Sequence, residues 1–381
     1  MENIMISRCK KSSLNLEMIS NFLQRYCKNI LSIIVTFGLL ILIFGCSKED
    51  SKNQVEVINI PQRNDRVKVQ EISSKITSIQ LETSSDSYLG RIDEVKIIND
   101  HLFILDDLKK ISIFDLDGKF KSRLAPIGDG PGELGVIYSI CEDRDSGKIY
   151  VSTGYRLLEF SSEFKFIKET KFSGGLYYLF FDENQLHTIT DDFLREVDKK
   201  FQTETFILKI DENLEIVDSI SFRKVVLDSK IISGYRYKNW ISRDKTGLYF
   251  YKPVLTPDLL VRDTLYEKIG NNFFPILKFN FNHNVSIDNN GVKSLNIYNI
   301  IKSNEHIIIE FQDELRRVAY INLNNGLSKN MPGGFSFSGN DDIVIRPLDL
   351  ENELFYFIHY DKYSDSQTQE MNPVVNIVKL K

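Results

Sequence analysis

From Val67 onward, apolar and polar residues follow one another in short runs bounded by turn residues, with almost no helical period. The first runs cover residues 75–81, 95–98, 101–105, 110–115 and 120–124. Strand-length apolar runs separated by short turns are the pattern of antiparallel β-structure. Asp117-Gly118 lies between the last two runs. It marks a hairpin, because glycine takes the positive φ that such a turn needs. The pattern then recurs in sets of four. The second set is 136–141, 148–152, 156–160 and 164–172; the third is 176–181, 185–190, 205–210 and 216–222. The fourth is 240–243, 247–252, 264–268 and 274–281; the fifth is 295–302, 306–311, 317–322 and 327–331. Residues 335–337, 342–347 and 354–360 remain, with a last run at 374–380.

A four-strand unit that returns every 40–50 residues or so predicts a β-propeller. Five full sets and one incomplete set predict six blades of four-stranded antiparallel sheet. The early run 76–81 has no partner in the first set, and pairing it with 374–380 completes the last blade. Closing the ring with the N- and C-terminal strands removes free sheet edges, which would otherwise template aggregation. A large β-sandwich or barrel is the alternative, since alternation alone does not separate all-β classes. Residues 191–203 interrupt the third set and are expected to be a loop insertion.

The first 66 residues have a different character. Residues 30–44 read ILSIIVTFGLLILIF, without a charge, and follow Arg25 and Lys28. A basic segment before a short apolar one is an export signal. The run falls short of the ~20 residues that a helix needs to cross the hydrocarbon core. Ile43-Phe44-Gly45-Cys46 resembles the lipobox of bacterial lipoproteins, in which a small residue precedes the cysteine that is acylated. That resemblance implies cleavage before Cys46 and anchoring of the mature chain through it, so that residues 1–45 are a signal peptide. A start at Met18 gives a signal of more usual length and is the expected one. Ser47 is followed by Lys48, Glu49 and Asp50, which resemble the surface-export signal of lipoproteins in some Gram-negative bacteria. An uncommitted polar linker would look similar. Residues 46–66 are read as a lipid-anchored flexible tether and 67–381 as the propeller.

Composition narrows the function. The chain has 381 residues, a formal net charge of -5 and 42% hydrophobic residues, which is ordinary for a folded protein. A nucleic-acid partner is not expected, because no basic excess is present. There are four cysteines: Cys9, Cys27, Cys46 and Cys141. Once the signal is removed, Cys141 has no internal partner and is expected to be a buried thiol. Stability must therefore come from core burial, which a domain of this size can supply.

Two further stretches carry a family likeness. Residues 116–120 read LDGKF and 128–134 read GDGPGEL. Together they resemble the NHL-type repeat, and GDGPGEL is similar to the blade connector of the six-bladed β-propeller lipoproteins. Gln80-Leu81-Glu82-Thr83 resembles the opening motif of that family, and Asn372-Pro373-Val374-Val375 with Lys379-Leu380-Lys381 resembles its last strand. The likeness covers 67–381 and implies a lipid-tethered propeller of Gram-negative bacteria.

Candidate chemistry is sparse. GDGPGEL lacks the Lys-Ser/Thr of a phosphate loop and leads into a strand rather than a helix. The histidines, His101, His187, His283, His306 and His359, show no metal-ligand spacing. Asp106-Asp107 and Asp341-Asp342 lack the alternating carboxylates of a calcium loop and suit turns. No GxSxG nucleophile motif is present. No catalytic, cofactor-binding or metal residue is therefore assigned, and no cofactor is expected. Tyr235-Arg236-Tyr237 with Trp240 joins the third and fourth sets, where a connector lies near the axial mouth. Aromatic side chains with an arginine suit a sugar or peptide ligand. The expected function is a surface-exposed binding or scaffold module for a glycan, a peptide or an envelope protein, with outer-membrane attachment. A hydrolase or lyase acting on an extracellular glycan or peptide at the axis is the rival reading.

Overall fold

The computed structural model describes Val55–Lys381, apart from Ile232, Asn290, residues 340–341 and residues 361–369. Cys46, Lys48, Glu49 and Asp50 lie outside the described residues. The described chain forms six antiparallel blades, nearly all in consecutive order. The first comprises Ile92–Ile98, His101–Asp106, Ile111–Asp115 and Phe120–Arg123; the second Ser139–Glu142, Ile149–Ser152, Gly154–Phe160 and Phe166–Leu176. The third is Tyr178–Asp182, Gln185–Val197, Lys200–Ile210 and Ile216–Leu227; the fourth Ile241–Arg243, Leu248–Phe250, Thr264–Ile269 and Asn272–Asn280. The fifth is Asn296–Lys302, His306–Gln312, Arg316–Asn322 and Ser328–Pro332. The sixth is Arg346–Asp349, Leu354–His359 and Val374–Leu380, completed on its outside by the early strand Ser73–Gln80. The six-bladed propeller and its closure by the two chain ends are thus as the pattern predicts.

The reason lies in the two faces of each blade. Leu102 and Ile104 pack toward the sixth blade with Val95, Tyr356 and Val375. Phe103 and Leu105, the alternate residues of the same strand, pack toward the second blade with Ile140, Val151 and Leu158. Successive side chains point to opposite faces, so a strand buried on both sides must be apolar on both. Six such apolar layers, one between each neighbouring pair of blades, make up the core of the described residues.

Closure is fastened by the two terminal motifs. Ser73–Gln80 pairs along Val374–Leu380, from Gln80 opposite Val374 to Ser73 opposite Leu380. The buried Asn372 side chain accepts from the Leu89 amide at 3.0 Å and donates to the Glu82 and Ser87 carbonyls at 2.6 and 2.9 Å. Gln80 Nε2 donates to the Asn372 carbonyl at 2.6 Å. The Asp117-Gly118 turn seats on this junction: Gly118 has φ +83°, and a Cβ there would lie 2.2 Å from the Gln80 carbonyl oxygen. Asn372→Ala strands one amide and two carbonyls, and is expected to lower stability by about 2–4 kcal/mol. The check is a urea midpoint that falls while the m-value stays fixed.

Three sequence expectations need correction. Residues 55–66, read as tether, belong to the folded unit. Glu56–Asn59 adds a fifth, parallel strand outside Asn272–Asn280, and Ile60 is buried in the layer between the fourth and fifth blades. Residues 191–203, read as a loop insertion, extend a hairpin: Gln185–Val197 and Lys200–Ile210 pair as far as Val197 opposite Lys200. The run 342–347 is divided, Asp342–Ile343 pairing with Phe335–Ser336 and Arg346–Asp349 forming the inner strand of the sixth blade.

Candidate functional site at the two mouths of the axis

The first strand of each blade faces the axis. At the C-terminal ends of these strands the channel opens as a cavity of about 430 Å³. First strands of five blades line it, through Glu94, Lys96, Cys141, Glu142, Tyr178, Phe180, Ile241, Arg243 and Leu348. Its charges are largely paired. Lys96 meets Glu94 at 3.1 Å, Arg243 meets Asp182 at 2.8 Å, and Arg144 meets Glu351 at 3.0 Å at the rim. Burial opposes the Lys96 charge, but Glu94, together with Tyr178 and Cys141, holds the ammonium above its ordinary pKa. Burial raises Glu142, against a hydrogen bond from the Asn99 amide. Cys141 is buried, and desolvation pushes its thiol well above the usual range, which leaves it a poor nucleophile.

The opposite mouth is covered by the connector that leads into the fourth blade. Tyr235 stacks on Tyr298 at 4.3 Å, and its hydroxyl donates to Glu310 at 2.9 Å. Glu310, almost wholly buried, also pairs with Arg346 at 3.0 Å. Arg236 forms an ion pair with Asp93 and lies 3.8 Å from Asp107. Burial and the Asp107 carboxylate push Asp93 up to about 6. The Arg346 guanidinium lies 3.9 Å from the centre of the Tyr237 ring. The Asn239 amide donates to Asn299 at 2.9 Å, and Asn239 forms part of the closed end of the cavity. Residues 235–239 are therefore a strap across the axis. Tyr235 and Arg236 are engaged by the fifth and first blades, while Trp240 stacks on Tyr178 at 5.4 Å and 24°.

Beside Trp240 lie aromatic residues that sequence reasoning did not single out. Tyr138 and Tyr177 contact at 5.6 Å, and Tyr177 meets Phe193 of the extended hairpin at 5.7 Å. Lys238 Nζ sits 5.0 Å from the Tyr138 ring centre and 5.8 Å from that of Trp240. Burial, with the nearby Lys252 charge, pushes Lys238 down to about 8. A signal was available. Tyr138, Tyr177 and Trp240 each stand immediately before the inner strand of their blade, in the second, third and fourth blades.

Other candidates serve the fold. In GDGPGEL the Gly128 amide donates to the Leu134 carbonyl at 3.0 Å. The Gly130 and Gly132 amides donate to Glu133 at 2.9 Å and to Glu169 at 3.1 Å. The chain's own carboxylates thus occupy the donors that a phosphate would need. Asp106 accepts from the Gly90, Leu108 and Lys110 amides, and Asp107 from that of Arg91. Asp342 lies in a short strand, and Asp341 falls outside the described residues. His306 bonds Glu353 at 2.8 Å, and Ser303 reaches the same carboxylate at 2.5 Å, tying the fifth blade to the sixth. His101 and His187 bond backbone carbonyls near them in sequence, and His283 lies 3.1 Å from Ser294 Oγ. Among the described residues no three His, Cys, Asp or Glu side chains gather as metal ligands.

The fold and the two mouths define a closed six-bladed propeller with one open and one strapped end. The chain belongs to the family described as "Domain of unknown function (DUF4934)", whose pattern matches residues 54–381. A solved structure from Bacteroides fragilis NCTC 9343, BF0058, thought to be an exported protein, superposes with a TM-score of 0.64 at 15% identity. The match covers 86% of this chain and 100% of that one. The extracellular domain of BT4673 from B. thetaiotaomicron, thought to be a hybrid two-component system, matches at 14% identity and a TM-score of 0.39, over 75% of this chain and 33% of that chain. BamB from Moraxella catarrhalis gives 10% and 0.40, over 81% of this chain and 100% of that one. No curated protein matches the sequence.

Proposed function

We propose that this protein is an exported lipoprotein, anchored through Cys46 to the outer membrane and displayed at the cell surface, whose propeller is a ligand-binding module. The ligand enters the open end of the axis. One observation carries this reading: a solvent-open cavity of about 430 Å³, lined from five blades and by Asn239 of the strap. Concave sites of this size with a few placed polar groups are where small ligands bind. Paired charges of both signs, Glu94 with Lys96 and Asp182 with Arg243, favour a ligand that carries both, such as a short peptide. Export is supported by the apolar segment 30–44 followed by IFGC, and by BF0058, which shares the fold and is thought to be exported. Lys48, Glu49 and Asp50 support surface display.

The test is thermal unfolding in the presence of di- and tripeptides. A peptide held in the cavity at about a hundred times its Kd stabilises the fold by about 2.7 kcal/mol. Glu94→Gln with Lys96→Met is expected to abolish that gain. No gain with any peptide, or an equal gain in the double variant, sinks the cavity reading. Cleavage of the added peptide would favour the hydrolase.

A further inference from the structure

We infer that the strapped mouth carries a second binding surface, independent of the axial cavity, for an acidic oligosaccharide whose sugar rings lie on Tyr138, Tyr155, Tyr177 and Phe193 and whose carboxylate reaches Lys238. Three of the four rings are exposed, and Tyr177 is half-buried among them. Tyr155 is 61% exposed, Phe193 41% and Tyr138 39%. They come from different places in the chain. Tyr138 and Tyr177 precede the inner strands of the second and third blades, Tyr155 follows the Gly154 turn, and Phe193 stands on the extended hairpin. Exposed aromatic rings brought together from separate elements form a patch that a lone surface residue does not.

The rings are also held in place. Gly154 has φ +86°, and a Cβ there would lie 3.1 Å from the Tyr138 ring, so the turn lets that ring lie against backbone. Tyr177 lies between Tyr138 and Phe193, with ring centres 5.6 and 5.7 Å away. Preorganised rings lose little freedom on binding.

Ring geometry and charge select the occupant. Tyr138 is turned by 58° from Tyr177, and Tyr177 by 62° from Phe193. One flat ligand cannot cover rings so turned, whereas puckered sugar rings that rotate along a chain can. Tyrosine gives each sugar an apolar face and a hydroxyl partner. A peptide adding itself as a strand would need open backbone donors. Here the Tyr138 amide bonds the Ser152 carbonyl at 2.8 Å, and the Tyr177 amide bonds that of Ile189 at 3.0 Å. Lys238 supplies the charge preference. Its ammonium lies between two rings and donates to the Tyr177 carbonyl at 3.3 Å. The neighbouring Asp191 carboxylate is already paired with Lys252 at 2.8 Å. A cationic ligand meets repulsion from Lys238, and a carboxylate meets a donor.

The probes are tetrasaccharides of galacturonate, glucuronate and mannuronate, with cellotetraose as the neutral control and a tetra-lysine peptide as the cationic one. Titration calorimetry uses the full-length, detergent-solubilised protein. At least one uronate is expected to bind about tenfold or more tighter than cellotetraose. Tyr155→Ala and Lys238→Gln should each weaken it by about tenfold. Tyr155 is exposed, so the thermal midpoint of Tyr155→Ala should stay near that of the parent, and Lys238→Arg, which keeps the charge, should retain the binding. A di- or tripeptide that fills the axial cavity should leave uronate binding unchanged, which separates the two sites. No uronate binding below about 10 mM, equal or better binding of cellotetraose or tetra-lysine, or undiminished binding in both ring-side variants overturns the proposal.

Discussion

Deletion of residues 374–381 is expected to abolish the folded monomer rather than to trim one end of it. The strand Val374–Leu380 is not the edge of the sixth blade; it lies between Leu354–His359 and Ser73–Gln80. Its loss breaks two ladders and leaves Ser73–Gln80 without a partner in the ring. Val375 is buried toward the first blade, and Val378 and Leu380 toward the fifth. At about 1.5–3 kcal/mol for each buried side chain, those three alone contribute roughly 5–9 kcal/mol. The lost ladder bonds add about 0.5–1.5 kcal/mol each. Asn376, also buried, leaves the Ser78 hydroxyl that it bonds at 2.7 Å. The total is comparable with the ~5–15 kcal/mol that holds a domain folded. An opened ring also exposes a bare strand edge, so the truncated protein should aggregate. Size-exclusion chromatography and thermal melting check this. A monomer that melts within a few degrees of the full chain would show that the closing strand is dispensable.

The same strand shows what could be read from the sequence. Each blade is buried on two faces, so strands in its middle, such as His101–Asp106, Ile149–Ser152 and His306–Gln312, are apolar on both and stand out against polar turns. The four-strand period follows because all six blades solve the same packing problem. Closure was legible because 76–81 had no partner nearby and 374–380 lacked one at the end. What escaped was non-local or weak. Glu56–Asn59 reads EVIN, and its partner Asn272–Asn280 lies more than 200 residues away. Nothing local distinguishes such a strand from a polar linker. The hairpin extension carries Asp191, Asp192, Arg195 and Glu196. Beyond the body of the blade both of its faces can be polar, so the alternation that marks a strand fades.

The mouths divide in the same way. That residues 235–240 reach the axis followed from their place between two blades. That Tyr235 and Arg236 are taken up by Glu310 and Asp93 did not, because those partners sit on other blades. The rings of Tyr138, Tyr155, Tyr177 and Phe193 were hidden by the abundance of aromatics: 26 Phe and 17 Tyr leave no contrast in the sequence. Only their position relative to the inner strands separates them from core residues.

Cys46→Ala is expected to remove the protein from the membrane fraction and to abolish its labelling by a fatty-acid probe. The segment 30–44 is 15 residues long and uncharged, against the ~20 that a spanning helix requires. Among the described residues no helix is long and apolar enough to cross a bilayer. On the proposed reading attachment rests on acyl chains at Cys46, and two or more anchor stably where one binds only marginally. The folded unit begins at Val55. Metabolic labelling with an alkyne fatty acid, followed by fractionation, reads both effects in one experiment. Wild-type protein should be labelled and sediment with membranes; the variant should be unlabelled and released. Label and sedimentation unchanged in the variant would sink acylation at Cys46. An unlabelled variant that still sediments would assign the attachment to the apolar segment instead. Replacing Lys48, Glu49 and Asp50 by alanine should keep the label but shield the domain from protease added to intact cells, and equal digestion of both forms would reduce that triplet to a linker.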